Sequence, residues 1–399
     1  MLILEQLRIF FDNFQVSDYP LHGTLHEAKQ ESHEGVPKGA EVFAFVAFSF
    51  FQDRIHGIYH HTMEYQPSAF FRKAIAKKFW FLIALAVLCL LLVVLSLLVG
   101  AYHLSPLDVL KALLGIKSGK HEILIWNIRF PRTVASLVVG AGLAVSGLAL
   151  QSILRNPLAS PSTLGISQGA AFGAAVSVVV FKLKYLSIAF FAFGGSLFAA
   201  MTILLLGRLR RLTPESIILA GVALSSLFSA ATVLIQYLAT ETELAAIVFW
   251  TFGDVARSSW REIGATAFAT VFALVFLYLK AWDFMAVESG EEAAKGLGVS
   301  VEKLRWQGMA TVAVVASVAT AFHGVIAFVG LIAPHVARRI FGANYVLLVP
   351  ATALLGALLL LGADTAGRAI VGSGGLPVGV ITSFMGAPLF LYLLMRGYR

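Results

Sequence analysis

The chain has 399 residues, of which 58% are hydrophobic and only 13% charged, and its mean hydropathy is +0.83. Soluble domains carry about 25% charged residues, so an ordinary soluble enzyme or binding domain is excluded and a polytopic membrane protein is indicated. The net charge of +8 does not point to nucleic acid, because in a membrane protein an excess of Lys and Arg mostly sets orientation.

Residues 1–71 form an atypical N-terminal tail. They hold six of the ten histidines (His22, His26, His33, His56, His60 and His61), irregularly spaced and without the Cys or carboxylate partners of a tight metal site. The one apolar run here, Val42 to Phe51, is too short to span a bilayer, and no signal-peptide order is present. The stretch from Met63, MEYQPSAFFRKAIAKK, reads as the cytoplasmic start of a membrane protein, so translation from Met63 is one expectation for the natural chain.

From residue 72 onward the apolar runs are continuous rather than alternating, which favours a helical bundle over a β-barrel. Ten spans are predicted at about 79–101, 133–154, 163–181, 185–206, 216–238, 260–280, 307–323, 325–341, 346–364 and 377–395, each near the length a bilayer requires. Cys89 lies in the first and reads as a small buried hydrophobe. Arg72, Lys73, Lys77 and Lys78 precede that span and place the N-terminal side in the cytoplasm. On that orientation sixteen Lys and Arg residues fall on the inner side and ten on the outer.

Pro157 and Pro161 follow the second span, Pro334 lies inside the eighth, and Gly324 leaves almost no loop between the seventh and eighth. Broken helices at membrane depth, in corresponding places of two halves, point to a translocation path. Arg132 and Arg305 open the second and seventh spans, five apart, as an inverted repeat would have it. Pairs such as Gly140 with Ala144 and Gly221 with Ser225 allow close helix approach.

The longest polar interruption is residues 283–305, where Glu291 to Lys295 read as a short helix ended by Gly296 or Gly298. No G-x-x-x-x-G-K-[ST] phosphate loop exists; the nearest string, Gly115 to His121, has the wrong spacing. Any ATP that drives this protein is therefore bound by another chain. Ionisable residues at mid-membrane depth are scarce: Asp364 and Arg368 stand four apart near a helix end, and His323 and His335 near opposite ends of their spans. An ion-coupled carrier would place acids or histidines centrally, and a bare-cation pore would offer His or carboxylate ligands along its path. Both readings, a secondary carrier and a metal-cation ABC permease, are the alternatives.

Eight strings lie in register within the roughly 335 residues from about Met63 to Arg399: IRFPRT (Ile128 to Thr133), RNPLASPSTLG (Arg155 to Gly165), ILAGVAL (Ile218 to Leu224), FWTFG (Phe249 to Gly253), GEEAAKGLGV (Gly290 to Val299), AFVGLIAPHVARR (Ala327 to Arg339), GADTAGR (Gly362 to Arg368) and LPVGVITSFMGAPLF (Leu376 to Phe390). With these the chain resembles the FecCD-type permease subunits of ABC importers for iron-siderophores, haem and vitamin B12. The resemblance implies an all-α fold of ten transmembrane helices, a homodimer in a prokaryotic cell membrane with both termini cytoplasmic, two ATPase subunits carrying ATP and Mg, and an extracytoplasmic substrate-binding protein. It implies no catalytic residue, metal or cofactor on this chain, and a bulky metal chelate as cargo.

Carried over residue by residue, Gly290, Glu291, Glu292, Ala294, Leu297 and Gly298 match the ATPase-coupling segment. Arg129, Arg132 and Arg368 match arginines that meet acidic side chains of the binding protein. Thr213, Pro214 and Glu215 match the cytoplasmic gate, although a B12-type relative has small hydroxyl residues where this chain has Pro214 and Glu215. The first 62 residues have no counterpart in the family.

Overall fold

The computed structural model describes residues 69–399 apart from 101, 103, 117–118, 183–184, 211–212, 372–375 and 396–399. The chain divides into two units, 1–77 and 78–399. The histidine-bearing tail and the Met63 start lie outside the described residues, as do Lys117, Lys184, Arg211, Arg396 and Arg399 of the charge balance.

The described chain is helical, with no strand among the described residues. Each predicted span has its helix: α1 (Ala69–Leu98), α4 (Phe130–Ile153), α5 (Ile166–Val179), α6 (Tyr185–Arg210), α7 (Pro214–Tyr237), α9 (Trp260–Leu279), α12 (Val301–His323), α13 (Val329–Phe341), α14 (Tyr345–Val371) and α15 (Val378–Met395). The connections add α2 (Pro106–Leu113), α3 (Lys120–Leu124) with a π turn at Ile125–Arg129, α8 (Glu241–Thr251), α10 (Ala281–Glu288) and α11 (Glu291–Gly296). Six helical segments, the last part of α1, α3 continuous with α4, most of α6, and α7, α9 and α14, are long and apolar enough to cross a membrane; α5 and most of α15 form shorter apolar pieces.

Helix α4 is the axis of the bundle and packs against α9, α12, α13 and α14. Its sequence allows this: glycines, alanines and serines line it, and 18 of its 24 residues are buried. Small side chains let backbones approach, which is how helices associate where lipid supplies no hydrophobic drive. A Cβ on Gly140 would stand 2.4 Å from the Gly356 carbonyl oxygen of α14, and one on Gly147 only 1.6 Å from that of Gly330 in α13. The second contact follows from Pro334. Lacking an N–H, Pro334 leaves the carbonyl four residues earlier, that of Gly330, without its helical donor, and this oxygen lies on the bare backbone of α4.

The two halves correspond. Packing of α4, the second span, on α14, the ninth, is matched by packing of α12, the seventh, on α6, the fourth, the pair generated by exchanging each span for the one five places away in the other half. Helices α5 and α13, also five spans apart, are each entered through a left-handed residue, Gly165 (φ 79°, ψ 4°) and Phe328 (φ 67°, ψ −28°). This pattern supports the inverted repeat.

Candidate functional site

The polar segment 283–305 folds as two short helices of unlike attachment. Helix α10 is held by its apolar face: Ala281, Phe284, Met285, Ala286 and Val287 are buried. The Phe284 ring stacks on Tyr345 of α14 at 5.4 Å between centroids and 15° between planes. Helix α11 hangs from Gly290, whose φ of 128° belongs to glycine's range, and it buries only Ala294. Glu291 and Glu292 open it and Lys295 closes it, the arrangement that complements a helix dipole. Leu297 follows, an apolar side chain 42% exposed, with Gly298 at φ 80°.

Glu291 is the tether of this second helix. One carboxylate oxygen faces Lys295 Nζ at 3.1 Å and the other accepts from Arg305 Nη2 at 3.3 Å. The hydrogen-bonded Lys295 ammonium, with Arg305 beside it, holds the Glu291 carboxyl below the usual glutamate range against a partial burial that pushes the other way. Arg305 also donates from Nε to the Ile153 carbonyl at 3.4 Å, so α11 is joined through one arginine to the end of α4.

Within this segment Glu288 centres a polar cluster whose members the sequence-derived site does not include. Glu288, the last residue of α10, accepts from Arg338 of α13 and, at 2.9 Å, from the Tyr345 hydroxyl of α14. Arg338 Nη2 donates to Ser152 Oγ of α4 at 2.8 Å, and Ser152 also bonds Tyr345. One carboxylate thus joins four helices. The visible signal was the ARR string that ends the span holding Pro334, but its partner Glu288 is 50 residues away and spacing alone does not connect them.

At the opposite end of the bundle the structure gathers the three predicted arginines, burying Arg129 and Arg368 and leaving Arg132 partly exposed. Asp364, fully buried, binds Arg132 Nε through Oδ1 at 2.7 Å and Arg368 Nε through Oδ2 at 3.0 Å. Arg368 also donates to the Ser96 and Val99 carbonyls at 2.8 and 2.7 Å and to Ser96 Oγ at 2.6 Å. Arg129 donates to the Leu97 and Leu98 carbonyls at 2.6 and 2.9 Å and to that of Tyr102. A helix end leaves its last four carbonyls without donors, and the two arginines close that deficit for α1. Residual exposures are 5% for Arg129 and 7% for Arg368, with 11% for the Arg132 side chain. In this arrangement Arg129 and Arg368 do not reach a surface where a second protein could touch them.

Thr213, Pro214 and Glu215 make the start of α7. Thr213 Oγ1 accepts from the Ser216 amide at 3.4 Å, Pro214 occupies the first turn and Glu215 adds its charge there. Each residue is one that favours a helix N-terminus. Among the described residues no group of three His, Cys, Asp or Glu side chains could hold a metal ion.

A bundle of apolar helices knitted by glycine contacts, with a polar two-helix appendage at one end, defines a polytopic helical membrane protein. The chain belongs to the FecCD transport family, whose sequence model matches residues 88–396. It is 48% identical over 336 residues to an archaeal protein described as an ABC transporter permease, from Methanocaldococcus jannaschii, covering 81% of this chain and 96% of the relative. Identity is 36% over 321 residues to an Fe(3+)-citrate import permease of Bacillus subtilis, covering 78% and 95% of the two chains. It is 36% over 307 residues to the vitamin B12 import permease of Vibrio cholerae, covering 76% and 90%. A solved inward-facing structure of a metal-chelate type ABC transporter superposes with a TM-score of 0.70 at 32% identity, over 80% of this chain and 99% of the other. The chain is accordingly a permease subunit, a transport component and not an enzyme, of an ABC transporter whose ATPase subunits are other chains.

Proposed function

We propose that this permease carries a bulky metal complex, an iron chelate or a corrinoid, into the cytoplasm as one half of a homodimer. Two ATPase subunits dock on α10 and α11, which lie on the cytoplasmic side together with both chain termini. ATP and Mg bind to those subunits and no cofactor binds to this chain. The observation that carries the reading is the form of α11. It is a helix suspended on Gly290 with Glu292 and Leu297 exposed, and among the described residues the Glu291–Arg305 contact ties its charge to the bundle. The relatives' cargoes, ferric citrate and vitamin B12, supply the substrate class.

A substrate-binding protein docks at the opposite end. Arg132 is the most reachable member of the arginine cluster there, while Arg129 and Arg368 act from beneath by fixing the ends of α1, α4 and α14. Charges at such a rim orient docking more than they add affinity. Thr213, Pro214 and Glu215 lie at the cytoplasmic gate, where the capped start of α7 moves as a unit. ATP binding shifts the pore between two states through its differential contact with residues 283–305. Replacing Glu291→Lys or Leu297→Asp is expected to abolish uptake and coupling while the protein remains folded in the membrane. Transport-linked ATPase activity in reconstituted complexes is the measurement, and an unchanged rate refutes the coupling role.

A further inference from the structure

We propose that Glu288, Arg338, Tyr345 and Ser152 form the joint that passes a displacement of the docking segment to the pore helices, with the Glu288–Arg338 ion pair as its essential part. This rests on the reading that the ATPase docks on α10 and α11. Three observations carry it.

First, the two helices differ in attachment. Helix α11 is tied by the partly exposed contacts of Glu291 and turns on a glycine. Helix α10 is clamped by the Phe284–Tyr345 stack and by the Glu288 cluster. A push received on α11 and Leu297 can enter the bundle on one side through α10 and on the other through α12, which follows α11 directly and carries Arg305.

Second, the members of the cluster come from one helix each. Glu288 ends α10, Ser152 lies one residue before the end of α4, Arg338 sits in the last turn of α13, and Tyr345 opens α14. The joint thus grips the bundle's central helix, the helix that contains Pro334 and the helix packed along α4. Gln151, adjacent to Ser152, donates to the Leu331 carbonyl of α13 at 3.2 Å, so α4 and α13 are bonded to each other at the same level.

Third, the cluster is not saturated. Arg338 spends Nη1 on Glu288 and Nη2 on Ser152, while its buried Nε has no hydrogen-bond partner. A guanidinium presents five donors in a fixed fork. One that holds two partners and keeps a donor in reserve can turn to a second set of partners without surrendering its charge pairing. Interfaces that switch between two discrete packings amplify small shifts into helix movements. These four side chains are positioning residues; they touch neither nucleotide nor cargo.

Hydrogen exchange of the complete transporter, read by mass spectrometry with and without Mg-ATP plus vanadate, tests the proposal. In the unaltered complex nucleotide changes exchange both over residues 291–298 and over the loop 154–165 that follows α4. Glu288→Gln and Arg338→Gln leave the first change intact and reduce the second at least fivefold. Arg338→Lys, which keeps the charge, retains at least half of it, and Tyr345→Phe, which keeps the stacked ring, gives a smaller loss than Glu288→Gln. A response at 154–165 within twofold of the unaltered protein in both Gln variants overturns the joint, as does an Arg338→Lys variant as impaired as Arg338→Gln. If the unaltered complex shows no nucleotide response over 291–298, the docking reading itself falls and the joint with it.

Discussion

Asp364 binds two guanidinium groups at once and is itself fully buried. Its i,i+4 relation to Arg368 was legible in the sequence, because four residues is one turn of a helix. Its bond to Arg132 was not, since 232 residues intervene and nothing in local pattern connects the start of one span with the end of another. Burial of the cluster was illegible for the same reason: the carbonyls that absorb Arg129 and Arg368 belong to the end of α1. Removing one partner of a buried ion pair leaves an uncompensated charge and costs about 3–5 kcal/mol. Asp364→Asn strands two cations, so we expect a loss toward the upper part of that range, seen as a lower unfolding temperature of the purified permease. Arg132→Gln, which leaves Asp364 with Arg368, should cost less. An Asp364→Asn protein as stable as the original would show that the arginines are held by the α1 carbonyls alone.

The long apolar elements could be read directly, because about 20 uninterrupted apolar residues have few alternatives to a membrane helix. Their ends could not. Helix α12 begins at Val301, six residues before the predicted span, and α14 runs on to Val371 and takes Asp364 and Arg368 within a helix. Two connecting helices had local signals of their own: the capping boxes Ser105 with Asp108 at α2 and Thr240 with Glu243 at α8. These signals are short and sit in segments too polar or too brief to count as spans. The small residues of α4 were legible as a packing surface, but which helix each glycine meets was not. Gly147 is the sharpest case, because the oxygen it faces, that of Gly330, was released by Pro334. Overpacking a close contact costs typically 1–3 kcal/mol, and here the obstacle is backbone with no rotamer to yield. Gly147→Ala should therefore reach or exceed that range, measured as a drop in thermal stability. Gly264→Ala in α9, where an added Cβ meets nothing within 4 Å, is the matched control and should keep or slightly raise stability, since alanine favours a helix interior over glycine.

For the whole molecule, the orientation rests on charge. The bias of sixteen bases against ten becomes two to one once the bases held in bundle contacts are set apart on both sides. Arg129, Arg132 and Arg368 are spent on Asp364 and on helix-end carbonyls, so the outer side keeps seven; Arg305 and Arg338 are spent on Glu291 and Glu288, so the inner side keeps fourteen. Helix α9 offers the cleanest test of the assignment. Its 20 residues at 1.5 Å each measure about 30 Å, the thickness of a hydrocarbon core. Trp260 and Trp282, 47% and 41% exposed, mark its two ends as aromatic anchors do at membrane interfaces. Arg257 precedes it and Lys295 follows it, both exposed, so the proposed topology puts the two on opposite sides of the membrane. In a Cys89→Ser background, a membrane-impermeant maleimide should label Arg257→Cys in intact cells. The same reagent should label Lys295→Cys only after permeabilisation, because the proposed orientation puts α11 on the cytoplasmic side. The reverse pattern would put the docking segment outside, where no ATP is available, and would remove the basis for coupling through residues 283–305. Labelling of both sites in intact cells would instead show that α9 does not cross the bilayer.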